Sequence, residues 1–174
     1  MISASGESVT ITNSSFIGEN LSVTSDGKSV FALWASAQDI FIDNCYFANN
    51  GEILNGASIS VANNIIIQNS MSENNSATNR AIAFSDDSHL TNARISGCTF
   101  KNNSALCSLY LTSSSSDVIA AIENCSFSES QQSAIFINLQ QNSTVSFNNV
   151  QFTDNYPFSV IKYSAPDTIT INGE

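Results

Sequence analysis

The candidate catalytic residues are Asp86, Asp87 and His89, in the segment FSDDSH. Carboxylates beside an imidazole can serve acid–base catalysis or contact a metal ion or a sugar. A glycosidase, however, holds two carboxylates across a cleft, ~5 to 9.5 Å apart, which adjacent residues of one loop do not provide by themselves. His89 is the only histidine, which excludes His-based triads and multi-histidine metal sites within one chain. The segment is predicted to be a solvated loop, with a metal or sugar contact and catalysis as the alternatives.

An eleven-residue pattern recurs along the chain and must position all other candidate residues. It reads apolar-x-apolar-x-Asn-small-x-Phe-x-x-Asn, as in Ile40 to Asn50. The copies occupy residues 9–20, 40–50, 65–75, 93–103, 120–130 and 145–155, with a partial copy at 168–174. Their central positions are Asn13, Asn44, Asn69, Gly97, Asn124 and Asn149, so the spacing varies between 25 and 31 residues. Self-similarity at such a period is typical of a solenoid.

The pattern predicts short strands joined by tight corners. Its apolar residues alternate with polar ones, as in a strand with one buried face. The Asn that follows tolerates the left-handed conformation of a corner, and a second strand and a further apolar strand complete the repeat. No segment has a sustained helical period, and a β-sandwich would not repeat one pattern in register. The sequence therefore predicts an all-β, right-handed parallel β-helix of about six coils with roughly 27 residues each. Residues 1–174 form a single domain or a segment of a longer solenoid.

Like side chains of successive coils should stack in columns. The repeated Phe is expected to form the core, thinned at Ser72, where the column is interrupted. The corner asparagines are expected to face inward as a structural hydrogen-bonding ladder. Its members are Asn13, Asn44, Asn69, Asn124 and Asn149.

Three of the four cysteines follow a corner position directly: Cys45, Cys98 and Cys125. Cys98 and Cys125 should be neighbours in adjacent coils, at a Cα separation that a disulfide accepts. Parallel strands in register orient their Cβ atoms alike, however, which strains such a bridge. A stack of small buried thiols is favoured, and a Cys98–Cys125 disulfide is the alternative. No zinc-type spacing occurs, and neither a metal nor a cofactor is predicted.

The composition argues against several classes of partner. The formal net charge is −10, with five Lys or Arg against fifteen Asp or Glu. Nucleic acids and anionic membrane surfaces bind proteins through a basic face, so neither is an expected partner of this acidic chain. No apolar run is long enough to span a bilayer, and the residues from Met1 do not resemble a secretion signal. A flat Thr-x-Thr array of the ice-binding type is missing too, because the middle coils have Phe41, Ile66, Arg94 and Ala121 in one of its columns.

The repeated FxxN motif resembles that of the chlamydial polymorphic membrane proteins and their protist relatives. It is seen in Phe47–Asn50, Phe100–Asn103 and Phe152–Asn155, while Phe16 and Phe127 are followed by Glu19 and Ser130 instead. The family's Gly-Gly-Ala-aliphatic motif is absent. The resemblance implies a β-helix displayed on the cell surface, with a role in adhesion.

Six N-glycosylation sequons occur. Asn13 and Asn124 are expected to face inward and stay unmodified, whereas Asn74, Asn102 and Asn142 lie at predicted outer corners or loops and are the better candidates.

The predicted function is therefore a non-enzymatic, extracellular or cell-surface β-helix with a structural or adhesive role. The alternative is a carbohydrate-binding or polysaccharide-cleaving β-helix, which a groove with exposed aromatic and acidic residues would favour. Both ends of the chain carry the same strand pattern, in Val9/Ile11 and Ile169/Ile171. Head-to-tail stacking of copies, or flanking coils of a longer chain, is therefore expected, because uncapped solenoid ends expose core and strand edges.

Overall fold

The computed structural model describes residues 2–18, 33–49, 55–75, 80–84, 89–104, 107–155, 161–164 and 168–172. Side chains are described for all of these except residues 2–4, 33–34, 55–62, 80–84 and 161–164. Every regular element in this part of the chain is a β-strand. Accordingly, the described residues contain no apolar helix of membrane-spanning length. Asp86 and Asp87 lie outside the described ranges.

The strands follow one another in successive coils, a coil being one turn of the solenoid. The first three coils contain β1 (Ile2–Thr12) and β2 (Ser15–Ile17), β3 (Leu33–Asp43) and β4 (Tyr46–Ala48), and β5 (Asn55–Gln68) and β6 (Met71–Glu73). The next two contain β7 (Arg80–Phe84), β8 (Asn92–Ser96) and β9 (Thr99–Lys101), then β10 (Cys107–Thr112), β11 (Ile119–Glu123) and β12 (Ser126–Ser128). They are followed by β13 (Ser133–Asn138), β14 (Thr144–Asn148) and β15 (Gln151–Thr153), and then by β16 (Ile161–Ser164) and β17 (Thr168–Asn172).

All strand pairs are parallel and join each coil to the next. An eleven-stranded sheet covers two faces, because the long strands β1, β3 and β5 each extend across both. Their first halves continue into β7, β10, β13 and β16, and their second halves into β8, β11, β14 and β17. A register shift between Ala37 and Asp39 marks the junction of the two faces in β3. The third face is a six-stranded sheet with the order β15-β12-β9-β6-β4-β2. The parallel all-β solenoid predicted from the repeat is confirmed.

The core consists of columns of identical or similar side chains. Ile42, Ile67, Ile95 and Ile122 occupy one column in register and are 0 or 1% exposed. The Phe column stacks with ring centroids 4.9 Å apart for Phe16–Phe47, 4.5 Å for Phe100–Phe127 and 5.5 Å for Phe127–Phe152. Such stacks add stability beyond the apolar area they bury. Ser72 interrupts the column between Phe47 and Phe100, and it is itself buried.

Left-handed residues form the corners on both sides of the third sheet. At the first corner φ lies between 49 and 61°, at the five corner asparagines and Gly97. At the second corner φ lies between 47 and 55°, at Asn49, Asn74, Asn102, Glu129 and Asp154. Asn and Gly adopt this conformation at low cost, which is why the sequence repeats them at these positions.

Candidate functional site

A groove of about 510 Å³ lies on the outer surface of the second face, across β3, β5, β8 and β11. It extends from Ser8 in the first coil to Ile119 and Ala121 in the fifth. Four steps between coils at the strand spacing of ~4.8 Å give it a length of about 19 Å along the solenoid axis. Its volume falls within the range of small-molecule binding sites.

One side of the groove is a row of hydrogen-bonded polar side chains, here called the amide rail: Asp39, Asn64 and Asn92. These residues are in register in three successive coils. Asn64 Nδ2 donates to Asp39 Oδ1 at 2.7 Å, and Asn92 Nδ2 donates to Asn64 Oδ1 at 2.9 Å. Asn92 Nδ2 also donates to Thr91 Oγ1 at 3.2 Å. These contacts fix the side chains of the rail at the spacing of the strands.

The floor of the groove is mainly apolar. Phe41 and Ile66 occupy it in neighbouring coils, followed by Arg94 and Ala121 in the same column. Ile119 stands beyond the end of the amide rail with 59% of its surface exposed. Single exposed apolar residues are ordinary. Phe41 and Ile66, however, are neighbours within a concavity, which makes the groove a candidate binding surface.

The groove is lined by two charged residues, Asp39 and Arg94. Asp39 is its only lining carboxylate among the described residues. Arg94 is held by Glu123, with Nε 3.0 Å and Nη2 3.0 Å from Glu123 Oε2. Both side chains are partly exposed, so this ion pair contributes little stability, and its effect is mainly to orient Arg94. The described lining of the groove thus contains one carboxylate, whereas glycosidic hydrolysis uses a pair.

The sequence-predicted acidic cluster is only partly described. Asp86 and Asp87 lie outside the described residues, and His89 is exposed with Nδ1 3.1 Å from Ser114 Oγ. Among the described residues no group of three potential ligands is arranged to hold a metal ion. The groove therefore remains the site with the best-defined geometry.

The corner asparagines form an outer ladder, which corrects the expectation that they face inward. Asn44 Nδ2 donates to Asn13 Oδ1 at 2.7 Å, and Asn149 Nδ2 donates to Asn124 Oδ1 at 2.9 Å, with all four side chains exposed. Asn69 is also exposed and donates to the Asp43 carboxylate at 2.9 Å rather than to Asn44. The prediction extended the strand's alternation of inward and outward side chains to the corner asparagine. The corner residue has positive φ, so the alternation ends there and its side chain points outward.

The inner ladder is formed instead by the last Asn of the repeat, which ends the FxxN motif in two of these copies and follows Ser72 in the third. Asn75 and Asn103 are 0% exposed. Asn75 Nδ2 donates to Asn103 Oδ1 at 3.0 Å and lies 3.1 Å from the Phe47 carbonyl oxygen, while Asn103 Nδ2 donates to the Ser72 carbonyl at 3.0 Å. Asn155 Nδ2 donates to the Phe127 carbonyl at 2.8 Å. These amides satisfy buried backbone groups where the chain leaves the third sheet. The FxxN repeat itself was the sequence signal for them.

The cysteines are free and buried, so the alternative of a Cys98–Cys125 disulfide is not what the structure has. The thiols of Cys45, Cys98 and Cys125 each donate to the carbonyl two residues earlier, at 3.4, 3.4 and 3.2 Å. Ser14 and Ser70 make the same contact in the same column, both at 2.8 Å. The side chains therefore run parallel rather than toward each other.

The pKa values of two of these thiols are raised. The hydrogen bond with Cys125 and then burial raise the pKa of the Cys98 thiol, and burial raises the pKa of the Cys45 thiol. The hydrogen bond with Cys98 lowers the pKa of the Cys125 thiol. A protonated thiol is a weak nucleophile and a weak ligand, so the role assigned to Cys45 and Cys98 is packing.

The three sequons favoured for glycosylation differ in their surroundings. Asn102 Nδ2, the atom that a glycan would modify, donates to Asn74 Oδ1 at 2.8 Å. Asn142 lies exposed in the turn between β13 and β14 with φ 64°. Glycosylation at all three stays a prediction, with Asn142 the least hindered. Asn13 and Asn124 are exposed, so the stated reason for leaving them unmodified does not hold.

Comparison with known proteins places the chain in a fold family. The family model for the right-handed beta helix region matches residues 1–173. No curated protein matches the chain, and no solved structure matches it. The family match, the parallel pairing of all strands and the in-register columns agree, and the chain belongs to the right-handed β-helix family.

Proposed function

We propose that the chain is a non-enzymatic structural and adhesive segment of an extracellular or cell-surface β-helix, extended at its C-terminal rung by a further coil. One observation carries this proposal. Ile171 continues the column of Ile95 and Ile122, which are fully buried, yet 66% of its own surface is exposed. An exposed residue in an otherwise buried column is a surface that a further rung can cover.

The backbone of the same rung is also exposed on one side. Among the described strands, β17 pairs with β14 alone, so one edge of β17 carries unpaired N–H and C=O groups. Such an edge is a template for another parallel strand. Val9 and Ile11 of β1 occupy the columns of Ile169 and Ile171, so the first coil of a second copy has the residues to continue them. A coil encoded by flanking sequence would have the same effect.

The two end rungs are not equivalent. Val9 and Phe16 in the first coil are only 7% and 6% exposed. The joint is therefore proposed at β17, on the exposed residues, rather than on symmetry between the ends. A head-to-tail contact between copies does not close on itself and leads to filaments rather than rings.

The adhesive and extracellular parts of the proposal rest on the surface. The chain has 31 Ser and 22 Asn but only 11% charged residues. An amide- and hydroxyl-rich surface with a shallow groove suits contact with neutral polar partners. The FxxN resemblance supports the same location and role.

Electron microscopy of the purified chain tests the joint. Wild-type protein at high concentration should form rods longer than one chain, and the double variant Ile169→Lys/Ile171→Lys should not. Thr170→Lys is the control for added charge, because it places a lysine on the outward face of the same strand. Rods of equal length in the wild type and the double variant would overturn the joint.

A further inference from the structure

We propose that the groove across β3, β5, β8 and β11 binds a linear, uncharged glycan that lies along the solenoid axis. Glycan binding rests on the adhesive part of the proposed function but not on the joint at β17, so either can fail without the other.

The groove matches the two kinds of surface that a sugar chain has. Phe41 and Ile66 form the apolar part of the floor, followed in the same column by Arg94 and Ala121, and this apolar part suits the CH faces of pyranose rings. The amide rail beside it suits their hydroxyl edges. A ligand that is apolar on its faces and polar on its edges can satisfy both at once, whereas a purely apolar ligand would desolvate the rail without replacing its hydrogen bonds.

The amide rail keeps hydrogen-bonding groups available for a ligand. In the described part of the chain, each rail contact uses only one oxygen of Asp39 and one N–H of Asn64. The second oxygen and the second N–H remain, and Asn92 Oδ1 has no donor among the described side chains. Donors and acceptors thus recur at the spacing of the strands, ~4.8 Å. A polymer with one ring per similar length meets the same chemistry at each step.

Electrostatics favours an uncharged glycan over an acidic one. Asp39 lines the groove, while the positive charge of Arg94 is already paired with Glu123 at 3.0 Å. The chain as a whole carries a net charge of −10. A polymer of uronate or sulfated sugars would meet repulsion from both the groove and the overall field.

An extended peptide fits the groove less well. Peptides that bind a sheet as an added strand need a free edge. β5 is paired on both sides, with β3 and β8, and β8 is paired on both sides, with β5 and β11. The backbone beneath the groove therefore has no edge to offer, and recognition must go through side chains.

A titration followed by nuclear magnetic resonance tests the proposal. The probes are uncharged β-1,4-linked hexasaccharides of glucose, xylose, mannose and N-acetylglucosamine, with hexagalacturonate as the acidic comparator. At least one uncharged probe should shift the amide signals of β3, β5, β8 and β11, and should bind more tightly than hexagalacturonate. Phe41→Ala and Ile66→Ser should each weaken binding by about tenfold, and Asn64→Ala should weaken it severalfold.

Matched controls separate the groove from general surface effects. Ile17→Ser removes another exposed isoleucine, on the third sheet outside the groove. Asn148→Ala removes another amide of a cross-coil pair, with Asn172. Both should leave affinity within about twofold. No binding of any uncharged probe, preferential binding of hexagalacturonate, or equal affinity in the groove variants and the controls would each overturn the proposal.

Discussion

The interior coils and the C-terminal rung contain the same side chains in the same columns but differ in what covers them. Ile95 is fully buried, whereas Ile171 in the same column is 66% exposed. Phe127 is stacked on both sides, and Phe152 has one described ring partner, Phe127. A solenoid obtains its stability from contacts between neighbouring coils. The same residue type should therefore contribute more to the free energy of unfolding in an interior coil than in the C-terminal rung. The difference measures the stability that contact with a further coil would add.

The largest effect should come from the Phe column. Phe127→Ala should lower the free energy of unfolding by about 3–5 kcal/mol, since it removes a buried ring that stacks on two others. Phe152→Ala should cost roughly half of this, because its ring is only partly buried. Urea unfolding followed by circular dichroism gives both values. Equal losses for the two variants would break the comparison between interior and end.

The isoleucine column should show the largest ratio between the stability loss of an interior variant and that of a variant in the C-terminal rung. Ile95→Ala should cost about 2–5 kcal/mol, because the cavity forms in the closed core. Ile171→Ala should change stability by less than about 0.5 kcal/mol, as at most exposed positions. Thermal unfolding at low protein concentration measures the difference, and a large loss for Ile171→Ala in the monomer would show that this rung is already covered.

The inner ladder extends the comparison to polar groups. Asn103→Ala should cost about 1–3 kcal/mol, since it removes the buried side chain that bonds the Asn75 backbone N–H and the Ser72 carbonyl. Asn155→Ala should cost less, because Asn155 is only partly buried and water can replace its contacts. Hydrogen exchange at the Asn75 amide, which donates to Asn103 Oδ1, would report the same loss locally.

The smallest expected change in stability is at Asn69. It tests whether a residue's contribution to stability depends on its burial or on its place in an interior coil. Asn69 lies in an interior coil, but its side chain is exposed and φ is 49°. Asn69→Gly should change stability by less than about 0.5 kcal/mol, because Gly adopts the same conformation. Asn69→Ala should cost about 1 kcal/mol through left-handed strain. A large loss for the Gly variant would mean that the outer ladder, not burial, holds the interior coils together.

The sequence predicted the parts of this fold that depend on repetition. The spacing of the corner residues and the alternation around Ile42 were enough for a parallel solenoid, because in-register columns require both. The side on which Asn44 lies was predicted wrongly, because strand alternation was extended through a residue with positive φ. The buried role of Asn103 was missed, although FxxN was recognised as a motif.

The groove could not be predicted from the repeat. Its floor residues Phe41, Ile66 and Arg94 share a column but no residue type, so the pattern carries no signal for them. Their proximity results from the register between coils. Residues in the outward columns vary without affecting the core, which is also why a binding surface can be built there.

The proposed joint at β17 is tested most directly by the molar mass of the chain in solution as its concentration is raised. Static light scattering should show a mass that increases with concentration for the wild type and for Thr170→Lys. It should stay at 18.6 kDa for Ile169→Lys/Ile171→Lys. A wild-type mass that remains at the monomer value over the same range, with no difference from the double variant, would contradict the account.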